Sequence, residues 1–105
     1  TAVFPSPLKL FKDKKTGEVV NSDDINGGNV TAVLSYQGKT EPITDMIDNK
    51  VYNSSWSQKQ ITITKKDVEK GVEATITFEI SYKITNEQGE EEERTAFTTT
   101  TAVFN

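Results

Sequence analysis

The residues able to do chemistry fall in three places. Ser22-Asp23-Asp24-Ile25-Asn26-Gly27-Gly28-Asn29 crowds side-chain oxygens around a pair of glycines. Hard cations are held by such oxygen sets on flexible loops, so Asp23, Asp24 and Asn26 are the candidates for Ca²⁺. The common calcium-loop register fails at its last position, where Val33 stands instead of a bidentate Glu. The expectation is a polar turn with at most weak calcium dependence. Asp45 and Asp48 could complete a site only if the fold carried them there. Glu87 and Glu90 to Glu93 form the densest acidic run. Placed across a hairpin tip, such carboxylates make a solvated edge that repels other strands; the alternative is a contact for a basic partner. Tyr52 and Trp56 stand in Val51-Tyr52-Asn53-Ser54-Ser55-Trp56. Aromatic faces beside Asn and Ser suit a sugar ring or a peptide, while the plainer reading has Trp56 plugging one end of the fold.

The missing residue types narrow the field further. With no His and no Cys among 105 residues, the usual proton shuttle, the thiolate nucleophile and the best transition-metal ligands are absent. No phosphate-binding glycine loop or nucleophile elbow occurs, and no carboxylate pair is marked as a glycosidase acid and nucleophile. The expectation is a non-enzyme without cofactor. A net charge of -4 repels phosphate, so nucleic acid is not an expected partner. No apolar run reaches the roughly 20 residues of a membrane span, and no signal peptide is visible.

The elements that must position these residues are strands. Thr (15), Val (9) and Ile (8) far outnumber Leu (3), Ala (5) and Met (1), and β-branched side chains favour a pleated surface over a helix. Ala74, Ile76, Phe78, Ile80, Tyr82 and Ile84 alternate with polar residues, which predicts one strand face in a core and the other in water. Val30 to Tyr36 reads as a more buried strand, and Leu8 to Phe11 as an opening one. Asp13-Lys14-Lys15-Thr16-Gly17, Ser22 to Asn29, Gln37-Gly38-Lys39, Asp48-Asn49 and Asn86-Glu87-Gln88-Gly89 supply turns. The last strand is expected over Arg94 to Phe104. Only Lys65 to Gly71 could form a helix, of about two turns. The prediction is a single all-β domain over 1–105, a sandwich of about seven to eight antiparallel strands. Its expected core centres on Ile61, Ile63, Ile76, Phe78, Ile80, Val33 and Leu34.

Thr1-Ala2-Val3-Phe4 recurs as Thr101-Ala102-Val103-Phe104. A period near 100 residues is one sandwich module, and fixed periods signal arrays. On that reading 1–7 and 101–105 are junction segments, with Val3 and Phe4 packing at one pole and Val103 and Phe104 at the other. The alternative is that two edge strands share an apolar pattern. Pro5 and Pro7 fit a stiffened junction.

The passage from Ile61 through the Lys65–Gly71 corner into a long alternating strand resembles the E–F corner of immunoglobulin-like and fibronectin-III-like sandwiches. Leu8 to Phe11, Lys14 to Val19 and Ile61 to Asp67, with the Cys-free, Lys/Asn/Thr-rich composition, resemble immunoglobulin-like repeats of Gram-positive surface proteins. That resemblance implies an immunoglobulin-like fold, an extracellular or cell-surface location, and a spacer, adhesive or surface-layer role. Neighbouring modules, identical subunits, or a host or cell-wall protein or glycan would be the partners. A second resemblance is to pilin-type collagen-adhesin B domains. It implies an amide weld from Lys9 or Lys12 to Asn105, from which the chain departs because Glu79, the candidate acid, lies on a polar strand face. A strand-exchanging filament subunit and a phage decoration domain are the competing expectations.

Overall fold

The computed structural model describes residues 1–5, 10–21, 30–43 and 60–105. In chain order these form β1 (Ala2–Phe4), β2 (Leu10–Asp13), β3 (Val19–Asn21), β4 (Val30–Tyr36), β5 (Lys39–Pro42), β6 (Ile61–Ile63), β7 (Glu73–Thr85) and β8 (Glu91–Val103), with no helix among them. The candidate calcium residues Asp23, Asp24 and Asn26, the aromatic pair Tyr52 and Trp56, the Asp48-Asn49 turn and Lys9 lie outside the described residues.

Alternation builds the main sheet as expected. Ala74, Ile76, Phe78 and Ile80 of β7 are buried on one face, while Glu73, Ser81 and Lys83 are exposed on the other. Sequestering side chains the size of Ile or Phe contributes roughly 1.5–3 kcal/mol each. Six strands pair in the order β3-β2-β8-β7-β4-β5, every contact antiparallel. Across their inner face lies a two-stranded antiparallel sheet, β1 with β6. Phe4 and Ile63 of the small sheet share one core with Phe11, Leu34, Phe78 and Phe104 of the large one. The described residues form an eight-stranded, two-sheet β-sandwich.

Three expectations need correction. Val33 faces outward and is only partly buried, because period two places Val30, Ala32 and Leu34 on the core side of β4. Ile61 is likewise only partly buried. The final strand begins at Glu91 rather than Arg94, so the acidic run spans the hairpin tip and the start of β8: Glu87 lies in the Asn86–Gly89 turn, Glu90 follows it, and Glu91 to Glu93 belong to the strand. Glu91, Glu92 and Glu93 are cross-strand partners of Thr85, Ile84 and Lys83, and nearby cations make that pairing tolerable. Lys65 to Gly71 forms bends and turns, and its Gly71 has φ +95°, a left-handed backbone suited to glycine. This corner does hand the chain from β6 in the small sheet to β7 in the large one, as anticipated.

The ends were expected at opposite poles, and they meet instead. β1 runs antiparallel to β6, so Thr1 lies beside the exit of β6, and their hydroxyl neighbours Thr1 and Thr64 stand 3.3 Å apart. β8 runs antiparallel to β7, so Asn105 lies beside the entry of β7. The short 64–72 corner joins that exit to that entry. Strand parity therefore closes both chain ends onto one pole.

Candidate functional site

The closed pole is the first place where predicted residues converge. The Thr1 nitrogen donates to the Asn105 carbonyl at 3.0 Å, and the Asn105 N–H donates back to the Thr1 carbonyl at 2.9 Å. Two further backbone bonds, from Gly71 to the Phe104 carbonyl (2.7 Å) and from Phe104 to the Val72 carbonyl (2.9 Å), tie the same pole to the corner. The two Thr-Ala-Val-Phe copies thus lie close together in facing sheets, and they use their residues alike. Phe4 and Phe104 are buried, whereas Val3 and Val103 remain 49% and 45% exposed. Phe104 also meets the Tyr36 ring edge-on, with centroids 6.1 Å apart. Inside β8, the largely buried Thr100 donates its hydroxyl to the Pro5 carbonyl at 2.8 Å, which ties the N-terminal segment to the large sheet. Asn105 engages Thr1, and Lys12 is exposed on β2. Glu79 is ion-paired with Lys14 on the outer face rather than buried as an acid for an amide weld.

A second cluster was not anticipated. Asp13, only 2% exposed, ends β2 and opens the turn to β3. Its Oδ1 accepts the N–H groups of Lys15 (2.8 Å) and Thr16 (3.0 Å), and its own carbonyl accepts the N–H of Gly17, whose φ is +76°. That turn points Oδ2 across the sheet, where it accepts the Tyr82 hydroxyl at 2.5 Å and lies 3.7 Å from Arg94 Nη1. Arg94 continues to Glu92 at 3.3 Å, and Lys15 reaches the same carboxylate at 3.0 Å. One buried carboxylate therefore fastens a turn to both strands of the long hairpin.

The electrostatics show what this cluster does. The Tyr82 hydroxyl, followed by the Thr16 and Lys15 N–H groups and the Arg94 charge, holds the Asp13 carboxyl down to about 2 against the opposing effect of burial. Burial, and after it the bond to Asp13, pushes the Tyr82 phenol up to about 12. Lys15 and then Arg94 hold Glu92 below its ordinary value. A general acid or base works best with a pKa near the operating pH. Asp13 and Tyr82 are driven in opposite directions away from neutrality, which is the chemistry of an anchor rather than of proton transfer. The sequence marked Asp13 only as the first residue of a turn. Its partners lie on strands far along the chain, so no local pattern could expose the link.

Beyond this anchor, residues 81–85 and 91–95 carry the hairpin to its tip at Asn86 to Gly89. Lys83 pairs with Glu91 at 3.2 Å there, both side chains well exposed. Lys15, Ile84, Asn86, Gln88, Glu92 and Arg94 line a shallow, open depression of about 450 Å³ beside the tip. Among the described residues no three metal-ligating side chains converge. No protein-family profile, curated protein or solved structure shows a significant match to this chain.

Proposed function

We propose that this chain is a non-catalytic structural or adhesive module of an exported bacterial surface protein, held by one pole and presenting the β7–β8 arm at the other. The observation that carries this reading is the reciprocal backbone pairing of Thr1 with Asn105. Polypeptide joined to either end leaves from the same place, so the module branches sideways from whatever bears it. The in-line spacer, with a short stiff link between opposite poles, is disfavoured by the same pairing. The arm suits presentation: 13-residue strands pair along their whole length, within a body measuring 52 × 27 × 20 Å. The chain holds no cysteine, which is consistent with export from an organism that does not rely on disulfides. The resemblance to immunoglobulin-like surface repeats supports the location, and the acidic arm supports a contact role.

Two copies joined head to tail through a short flexible linker test this reading by small-angle X-ray scattering. Side-branching modules should give a maximum dimension well short of two module lengths. A particle two module lengths long would restore the in-line spacer and overturn the proposal.

A further inference from the structure

We propose that the module answers tension according to where it is applied: load drawn through its two ends opens it as a zipper from the closed pole, whereas load between the pole and the arm tip is met by whole ladders in shear. The ends decide the first half. Thr1 and Asn105 are bound to each other, and further in the Pro5 carbonyl accepts the Thr100 hydroxyl at 2.8 Å. β1 therefore lies alongside the last part of β8, and both lead from the pole into the body. Pulling the two ends apart concentrates the load on the outermost contact, the Thr1–Asn105 pair. Once that parts, the load falls on Ala2 opposite Ile63, then on Val3 opposite Thr62, then on Phe4 opposite Ile61. Each contact meets it alone. β1 is the side that yields, because its ladder has only those pairs in a two-stranded sheet, which is marginal by itself. β8 is paired with β7 along all 13 of its residues.

The arm is loaded differently. From the turn at Asn86 to Gly89, β8 runs to the pole as one extended strand of 13 residues. Tension between the tip and Asn105 passes along that backbone, which has almost no slack to give. Tension between the tip and Thr1 draws β1 along its own axis. All of its pairs with β6, the buried Phe4 side chain and the Thr100–Pro5 bond then resist together. At the other end, β7 and β8 would have to slide as a unit against β4, paired through 7 residues, and against β2. The Asp13 carboxylate opposes that slide through Tyr82 and Arg94. A partner pulling on the arm is therefore held, while stretch of the polypeptide that bears the module releases the fold. This rests on the single-pole reading and adds to it a control on the arm that the module presents.

Two variants of this cysteine-free chain test the proposal in an optical trap. T1C/N105C takes handles at the two ends, and T1C/Q88C takes them at one end and the arm tip. All three positions are exposed, and Thr1 and Asn105 hold each other through backbone atoms that the substitutions keep. At one loading rate the 1–105 variant should yield at no more than about half the force of the 1–88 variant, since forced opening follows the barrier along the direction pulled. Equal forces, or a higher force for 1–105, would overturn the zipper. The length released keeps that failure apart from failure of the single-pole reading. With the ends together, opening the 1–105 variant frees the whole chain, roughly 3.3–3.6 Å for each residue. A release shorter by the 52 Å long dimension of the body would put the ends at opposite poles and overturn both. Full release at undiminished force would overturn the zipper alone.

Discussion

The closed pole and the far arm of the β7–β8 hairpin are held by opposite physics. At the pole, Phe4, Phe104 and Ile63 fill an apolar core beneath reciprocal backbone bonds between Thr1 and Asn105. Towards the arm, one buried carboxylate gathers a turn, a phenol and a guanidinium, and ion pairs of Lys15, Lys83, Glu91 and Glu92 take over nearer the tip. Apolar burial responds little to salt or to acid, whereas a carboxylate anchor and exposed ion pairs respond to both. The module should therefore loosen from the arm when conditions change, while the pole holds.

The sharpest way to break this contrast is at the pole. Phe104→Ala should cost about 3–5 kcal/mol in urea unfolding, and Phe4→Ala a similar amount, because each leaves a cavity in a shared core. Both losses should be the same in low and high salt. Next comes the anchor. Tyr82→Phe leaves Asp13 Oδ2 without its hydroxyl donor and should cost about 1–3 kcal/mol near neutral pH.

Acid supplies the third test. The folded-state pKa of Asp13 is depressed, so its contribution is complete above the unfolded value of about 4 and is lost as pH falls towards about 2. Thermal midpoints should drop across that window, and Asp13→Asn should flatten the drop, with Glu92 accounting for part of what remains. Tyr82 acts at the other extreme. Above about pH 10 the unfolded chain ionises this phenol first, and stability should fall as pH climbs towards about 12. The smallest effect belongs to the tip. Lys83→Ala should change stability by less than about 1 kcal/mol, and the change should vanish in molar salt.

What could be read in advance follows the range of the interactions. The alternation from Ala74 to Ile84, the Asp13–Gly17 and Asn86–Gly89 turns and the sheet-switching corner are local, and each stands where the residues put it. Val33 was misplaced because an all-apolar trio, Ala32-Val33-Leu34, hides the period that its neighbours reveal. The repeated tetrapeptide is plain in the sequence, yet its placement turns on strand parity. Two antiparallel pairings joined by one short corner bring the copies together, and no property of the tetrapeptide itself contains that count. The Asp13–Tyr82–Arg94 anchor was invisible for a related reason: the turn residue gives no sign that its second carboxylate oxygen is used across the sheet.

Pulsed electron spin resonance distances between nitroxide labels test the one-pole arrangement most directly. Labels would be placed through Thr1→Cys, Asn105→Cys and Gln88→Cys in this cysteine-free chain, and all three positions are exposed. The account predicts that the 1–105 pair sits at the short limit of the method, while the 1–88 pair approaches the long dimension of the body, 52 Å. A 1–105 distance as long as or longer than the 1–88 distance would place the chain ends at opposite poles and contradict it.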